Sequence, residues 1–540
     1  MDTTQKTALL SVFHKDGIAD FARELVALGY RVIASGGTKR ALEEAGIFAE
    51  DTAAFVGGQA ILGHRVVTIS REIAAGLLAT ESDRAELMQL GIQWIDLVCV
   101  DLYPLQEAIA KPEANLESVI ESTDIGGPLL LRAAAKGQRL VVCEAADRTR
   151  VISWLKAGEP EREKFIRGLA AKAEGVVAGY ALLSARFLSE GGIDGTVGEK
   201  IADCLYGENP WQRSFGLFAV AGEKHDPLAL ANFVPVGGTT PSYNNFGDID
   251  RCLQTITHLG AGWAINFTDK KNACMAVGVK HGNPCGAAVG DTAEAVLAGM
   301  VSGNPLAIFG GVVMVNFPLT EAGAEILLAH GMESGKKRVL DAVLAPRFDE
   351  SAIAVLTRKK TQKCRMLANP GLAQLGAESL DIATRRRYVR GGFLAQQNYT
   401  FVFDRRDADV AVYGDISEGQ WRDAVLAWAV GTTSNSNTIT IVKDNLVLAN
   451  GVGQQARVTA AKLAVMLARD SGHDLAGSVA YSDSFFPFID GPEVLSAAGV
   501  RTIITSSGSV ADAQVVEFCK EKGITLVMVP DKKARGFFGH

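Results

Sequence analysis

Lys280-His281-Gly282-Asn283-Pro284-Cys285-Gly286-Ala287-Ala288 follows directly on the apolar run CMAVGV. A strand that delivers lysine and histidine into a Gly/Asn/Pro turn exposes a cation and an imidazole, the groups that acid/base chemistry near neutral pH requires. For any single Lys-His pair the plainer reading is a tight turn with a surface lysine and a hydrogen-bonded histidine; nine residues of this composition are harder to dismiss. Ser436-Asn437 precedes a second apolar strand, TITIVKD, and by itself reads as a bend asparagine.

A different chemistry is suggested near the N-terminus. The run RVIA passes into Ser35-Gly36-Gly37-Thr38 and then a helical stretch, grouping glycine N–H donors, two hydroxyls and a helix start, which suits a phosphate. An ordinary strand-to-helix turn capped by Ser35 or Thr38 is at least as good a reading of the tetrapeptide alone. Ser11 and Lys15 follow the first strand, and Asp124-Ile125-Gly126-Gly127-Pro128 opens a helix carrying Arg132 and Lys136, the last of which also reads as a solvated helix residue. Three such loops on one sheet edge raise the case for a phosphorylated ligand.

The elements that must position these residues follow from the hydrophobic pattern. From 7 to about 150, ALLSVF, RVIAS, WIDLVCVDLYP and RLVVCEAAD alternate with amphipathic stretches, the signature of a parallel sheet covered on both faces. A helical, Ala/Glu-rich segment at 155–203 is expected to connect two domains, with the boundary near 200. Beyond it AINF, CMAVGVK, AIFGGVVMV, TITIVKD and TIITSS alternate with helical runs in a larger α/β region, with no fixed-period repeat.

Composition narrows the function classes. At 540 residues the chain needs more than one core, and 48% hydrophobic with 21% charged residues is globular. A net charge of −7 offers no field for a nucleic-acid backbone. Eight scattered cysteines show no Cys-x-x-Cys or metal-like spacing, so reduced thiols and no metal site are expected. The first residues fit neither a secretory signal nor a membrane anchor, so the expected compartment is the cytoplasm.

Taken in order, SVxxKxG, ASGGT, IDLVxVxLYP and DIGGPxxLRAAAK, and then KHxNPCGAA, resemble the bifunctional AICAR transformylase/IMP cyclohydrolase family. The resemblance continues through YGENPxQ at 206–212, SYNN at 242–245, FGG at 309–311, VRGG at 389–392, GxGQQxR at 451–457 and SDxFFPF at 482–488. It implies an α/β chain with a methylglyoxal-synthase-like, flavodoxin-type parallel-sheet cyclohydrolase domain over 1–200, and a transformylase region with cytidine-deaminase-like subdomains over 201–540.

The implied activities are formyl transfer from 10-formyltetrahydrofolate, as co-substrate, to AICAR, and cyclisation of formyl-AICAR to IMP, in a homodimer with no metal. Transferred residue by residue, the catalytic set is Lys280, His281 and Asn437. The nucleotide site is Ser11, Lys15, Ser35, Gly36, Gly37, Thr38, Arg65, Thr68, Tyr103, Asp124, Gly126 and Lys136. Transformylase substrate and folate fall to Tyr206, Asn245, Phe309, Gly310, Gln454, Phe485, Phe486 and Arg535, while Cys285 is read as packing.

Departures accompany the matches. Where the family has a lysine before Thr68 and two motif histidines, this chain has Val67, Ser70 and Ala74, and Asp101 replaces the asparagine before LYP. Leu205, Ile489 and Gly536 stand at family arginines, and Ala307-Ile308 departs from SAFGG. Formyl transfer is therefore the stronger expectation, beside two alternatives: a paralogue acting on another amine, and a non-catalytic nucleotide- or folate-binding protein.

Overall fold

Buried, largely aliphatic runs set four short strands in the first part of the chain, β1 Thr7–Ser11, β2 Arg31–Ala34, β4 Leu97–Val100 and β5 Leu140–Val142, and the half-buried acidic pair Glu50–Asp51 adds β3 at the edge. The computed structural model describes residues 5–62, 66–213, 215–220, 226–268, 273–357 and 364–538. It divides into two units, Met1–Lys200 with Phe218–Lys224, and Ile201–Leu217 with His225–His540.

In the first unit the strand order is β3-β2-β1-β4-β5 and all pairings are parallel. The order reverses between β1 and β4, so the loops leaving those two strands flank the crevice where open α/β sheets bind ligands. The helix Ile18–Ala27 shows why the sheet is covered: Ile18, Phe21, Ala22 and Leu25 recur at helical spacing and are buried. The helix Arg162–Leu188 is not a bare connector. Its Ile166, Leu169, Ala170, Ala173 and Val177 belong to the core of this unit, and Phe165 stacks on Trp154 at 4.3 Å.

Gly137 ends the helix Gly126–Lys136 where a Cβ would lie 1.8 Å from the Leu77 carbonyl oxygen. Both atoms belong to backbone regions that cannot swing aside. Gly137→Ala is therefore expected to cost about 3 kcal/mol, seen as an earlier unfolding transition by calorimetry; an unchanged transition would contradict the close approach.

The second unit is built on a twelve-stranded sheet whose two halves repeat one plan. In the first half an edge strand, Val234–Gly237, is followed by the helix Tyr243–Asn266 and the hairpin Cys274–Lys280/Asn283–Gly290. The strands Val312–Val315, Ala342–Ala345 and Arg365–Ala368 then follow with intervening helices. In the second half Ala411–Tyr413, the helix Glu418–Thr432, the hairpin Ile439–Lys443/Leu446–Gly451 and the strands Val479–Ser482, Thr502–Ser507 and Thr525–Pro530 follow in the same order. The halves join through the second strands of their hairpins, with Ala288 opposite Leu446. Segment lengths differ between the halves, which is why no fixed period is visible in the sequence.

The helices Tyr243–Asn266 and Glu418–Thr432 pack against each other on one face of this sheet. Gly262 permits the approach, since a Cβ there would lie 2.8 Å from the Trp428 ring. The expected strand AINF is the last turn of the first of these helices. Residues 251–263 are buried without a break, so the helix carries no amphipathic period, and its short apolar end reads as a strand.

Candidate functional site

In the second unit the Lys280–Asn283 connection is a two-residue hairpin turn with both central residues left-handed, His281 at φ 52° and Gly282 at φ 72°. A turn of this type matches the twist of its strands, and it leaves His281 exposed. The Lys280 ammonium donates to the Phe309 carbonyl at 2.7 Å, and a Cβ on Gly310 would lie 3.9 Å from it, so Lys280, Phe309 and Gly310 form one group. The turn rests on Asp248, whose carboxylate accepts the Gly282 N–H at 2.7 Å and lies beside the N–H of His281. Burial raises the Asp248 pKa, and the two backbone N–H groups act against that rise.

The connection before the strand Ile439–Lys443 is tied to the same turn. The Asn435 N–H donates to Asn283 Oδ1 at 3.0 Å, and Arg251 donates to the Thr433 carbonyl and to Asn435 Oδ1 at 3.1 Å. Burial lowers the Arg251 pKa to about 10, and Phe538 lies between its guanidinium at 4.4 Å and that of Arg385 at 4.0 Å.

Asn437 is engaged at both ends. Its Nδ2 donates to the Gln454 carbonyl at 2.8 Å and the Gln455 carbonyl at 3.2 Å, while Oδ1 accepts from Arg457 at 2.6 Å. Asn437 and Gln454 are thus together, but the Asn437 amide holds its own loop and is not a free donor toward a ligand. Arg457 is buried and also pairs with Asp483. The Cys285 thiol donates to the Gly278 carbonyl at 3.5 Å, and burial pushes its pKa up to about 12, which removes it as a nucleophile.

Three expected ligand residues do other work. Phe486 is 2% exposed and belongs to the core, so its ring cannot stack on a bound pterin; half-buried Phe485 and exposed Phe488 flank it. Arg535 is paired with Asp531, which the Ser484 and Ser506 hydroxyls also reach at 2.9 and 2.5 Å. Asn245 is buried as the third residue of a helix cap: its Oδ1 accepts from the Ser242 N–H at 3.0 Å, and its Nδ2 reaches Asp341 at 3.4 Å. Tyr206 is exposed and accepts the Tyr243 N–H at 3.0 Å.

In the first unit the loops leaving β1, β2 and β4 converge. Ser11 Oγ donates to Ser35 Oγ at 2.9 Å, and Thr38 Oγ1 accepts the Val12 N–H at 3.0 Å. The Lys15 ammonium caps the Val12 and Phe13 carbonyls and would lie 3.8 Å from a Cβ on Gly37, the second residue of the helix Gly36–Glu44. Partial burial lowers the Lys15 pKa, with Asp101 opposing that shift.

Asp101 is not an idle negative charge. It accepts the N–H groups of Phe13 and His14, the latter at 3.1 Å, and so fixes the β1 loop. Tyr103 packs edge-on to Phe13 at 5.6 Å. Asp124 accepts the Gly127 N–H at 2.8 Å and burial raises its pKa; burial, with the Asp124 charge added, also raises that of Tyr103. Thr68 closes the group, its hydroxyl 2.5 Å from where a Cβ on Gly126 would be.

Arg65 lies outside the described residues. Lys136 is the exposed last residue of the helix Gly126–Lys136, about 15 Å along the axis from Gly126.

Sequence reasoning did not single out Asp248, Arg251, Asn435 or Asp341. Each acts through a partner 34 or more residues away and carries no local motif. Among the described residues no group of three or more His, Cys, Asp or Glu side chains is placed to hold a metal ion, and no helix is long and apolar enough to cross a membrane.

Two α/β units, one with a polar crevice at the switch point of a parallel sheet and one with an exposed Lys-His hairpin turn in a duplicated sheet, define a two-part small-molecule protein. The chain belongs to the AICARFT/IMPCHase bienzyme family, which it matches over residues 134–467, and its N-terminal part matches the MGS-like domain over 17–129. It is 34% identical over 539 residues to the bifunctional purine biosynthesis protein PurH of Bacillus cytotoxicus, covering 97% of this chain and 98% of the relative. It is 35% identical, with the same coverage, to the protein of that name from Halalkalibacterium halodurans. A solved structure titled "Crystal structure of ForH" is 33% identical with a TM-score of 0.32, covering 35% of this chain and all of that one.

Proposed function

We propose that this chain transfers the formyl group of 10-formyltetrahydrofolate to the amine of AICAR, acting in the cytoplasm as a homodimer without a metal. On this reading the first unit cyclises formyl-AICAR to IMP at a reduced rate. The observation that carries the reading is the exposed His281 beside Lys280 on a turn fixed by Asp248 and Asn435. The acceptor amine is a poor nucleophile because its lone pair is delocalised into the imidazole ring, so taking its proton as it attacks the formyl carbon lowers the barrier. His281 takes that proton. Lys280, bonded once to the Phe309 carbonyl, keeps donors for the oxygen on which charge develops. The dimer is supported by the ribbon Thr384–Val389/Gly392–Gln397, which carries Tyr388, Val389 and Leu394 exposed.

One observation favours a second reading, an acceptor without a phosphate: Leu205 is 49% exposed where the family motif has arginine, and offers no donor. Purified protein with 10-formyltetrahydrofolate and either AICAR or its dephosphorylated nucleoside separates the two. Faster tetrahydrofolate release with AICAR supports the first reading, faster release with the nucleoside supports the second, and none with either sinks both.

A further inference from the structure

The duplicated sheet of the second unit allows one residue to be tested against its own counterpart. Each repeat opens its central helix with a serine cap, Ser242 or Ser417. Three residues on, Asn245 or Gln420 closes the cap, and six residues on stands an aspartate, Asp248 or Asp423. In each repeat that aspartate lies under the hairpin turn of the same half. Asp248 accepts the N–H of Gly282 at 2.7 Å and lies beside that of His281; Asp423 accepts those of Asp444 at 3.2 Å and Asn445 at 2.6 Å. The turns match as well, with Asp444 at φ 54° and Asn445 at φ 60° against His281 at 52° and Gly282 at 72°. A two-residue turn of this kind leaves its central N–H groups outside the ladder, and a carboxylate aimed at both satisfies them while fixing the peptide planes.

The device is common to both repeats and the chemistry is not. Lys443, the counterpart of Lys280, is tied to Asp474 at 2.9 Å, and its turn bears no histidine. We propose that Asp248 is a positioning residue for His281: its carboxylate holds the backbone of the turn and so orients the imidazole for proton transfer from the acceptor amine. The inference rests on the formyl-transfer reading above. The other titratable groups facing Asp248 are Arg251 on its own helix, Asp341 before the strand Ala342–Ala345, and the thiols of Cys252 and Cys285.

The experiment compares Asp248→Asn, Asp248→Glu and Asp423→Asn in the full-length chain, by steady-state formyl transfer and by NMR of the His281 side-chain rotamer populations. Asp248→Asn is expected to lower kcat by roughly 10- to 100-fold with KM for both substrates nearly unchanged, since a small misplacement of a reacting group has that effect. Its His281 ring is expected to sample more side-chain rotamers than in the parent, because the backbone of the turn is no longer held by a carboxylate. Asp248→Glu keeps the charge but displaces the carboxylate, so the kcat loss and the wider rotamer spread should both remain. Asp423→Asn loses the same staple in the other repeat and should keep kcat within about twofold. Parental kcat in Asp248→Asn, or equal losses in Asp248→Asn and Asp423→Asn, overturns the inference. A folded parent without formyl transfer instead sinks the functional reading, and unchanged His281 rotamer populations in Asp248→Asn then overturn the positioning role as well.

Discussion

His281→Ala is expected to reduce formyl transfer by about 10³-fold at saturating substrates, within the range that a general base contributes. The side chain is exposed and packs into no core, so the fold should survive. Histidine at φ 52° already carries the strain of a Cβ in the left-handed region, so alanine there adds little. His281→Asn is the better control, because asparagine tolerates the left-handed region and removes only the imidazole. Both variants should lose kcat and keep KM within a few-fold, the pattern of an interaction made in the transition state. Added imidazole should restore part of the activity of His281→Ala. If either variant retains more than a tenth of parental kcat, the proton acceptor is some other group.

The control residue of the duplicated half carries its own pH signature. Burial pushes the Asp423 pKa up to about 6, above its ordinary 3.8, despite two N–H bonds. A raised acid favours folding while it is protonated, so its contribution is present below about pH 4 and is lost as pH rises through 6. The parent should therefore lose up to about 3 kcal/mol relative to Asp423→Asn between pH 4 and 7 in chemical denaturation. A constant difference across that window would mean that Asp423 is ionised throughout.

The features legible in the sequence are those whose cause is local. A lysine and a histidine ending one strand, with glycine and asparagine beginning the next, announce an exposed turn because turn chemistry is decided by adjacent residues. Ser35 to Thr38 is legible for the same reason, as a strand running into a helix start. Asp248 is not, because its effect passes through the backbone of residues 33 and 34 positions away, and at its own site it looks like one more polar helix residue. The surroundings of Phe486 and Arg535 are hidden for a different reason. Their motif neighbours are matched, but whether an aromatic ring faces a ligand or the core, and whether a guanidinium is already paired, depends on partners such as Gly491 and Asp531 that the motif does not contain. The central helix that absorbs AINF is buried on every side, and without a polar stripe a helix and a strand look alike.

Val67→Lys is expected to raise IMP formation from supplied formyl-AICAR by about 10²–10³-fold, the effect of adding one charge-stabilising donor where a carbonyl oxyanion develops. Val67 adjoins Thr68, which sits against Gly126 at the mouth of the helix that begins beside Asp124. An ammonium introduced at 67 is therefore expected beside a group that contains Tyr103, Asp124 and the Lys15 loop, and whose carboxylate Asp124 has its pKa raised by burial. Asp101 does not oppose the gain strongly, since its oxygens are held by the Phe13 and His14 N–H groups. The double variant Val67→Lys with Asp101→Asn should accordingly add little to the single one, and if it adds tenfold or more, Asp101 is acting on the ligand rather than on the loop. Formyl transfer at the Lys280–His281 turn should not change in either variant, because residue 67 belongs to the other unit. A folded Val67→Lys protein with no gain in IMP formation would show that the missing lysine is not what limits the first unit, and would shift attention to Ser70 and Ala74.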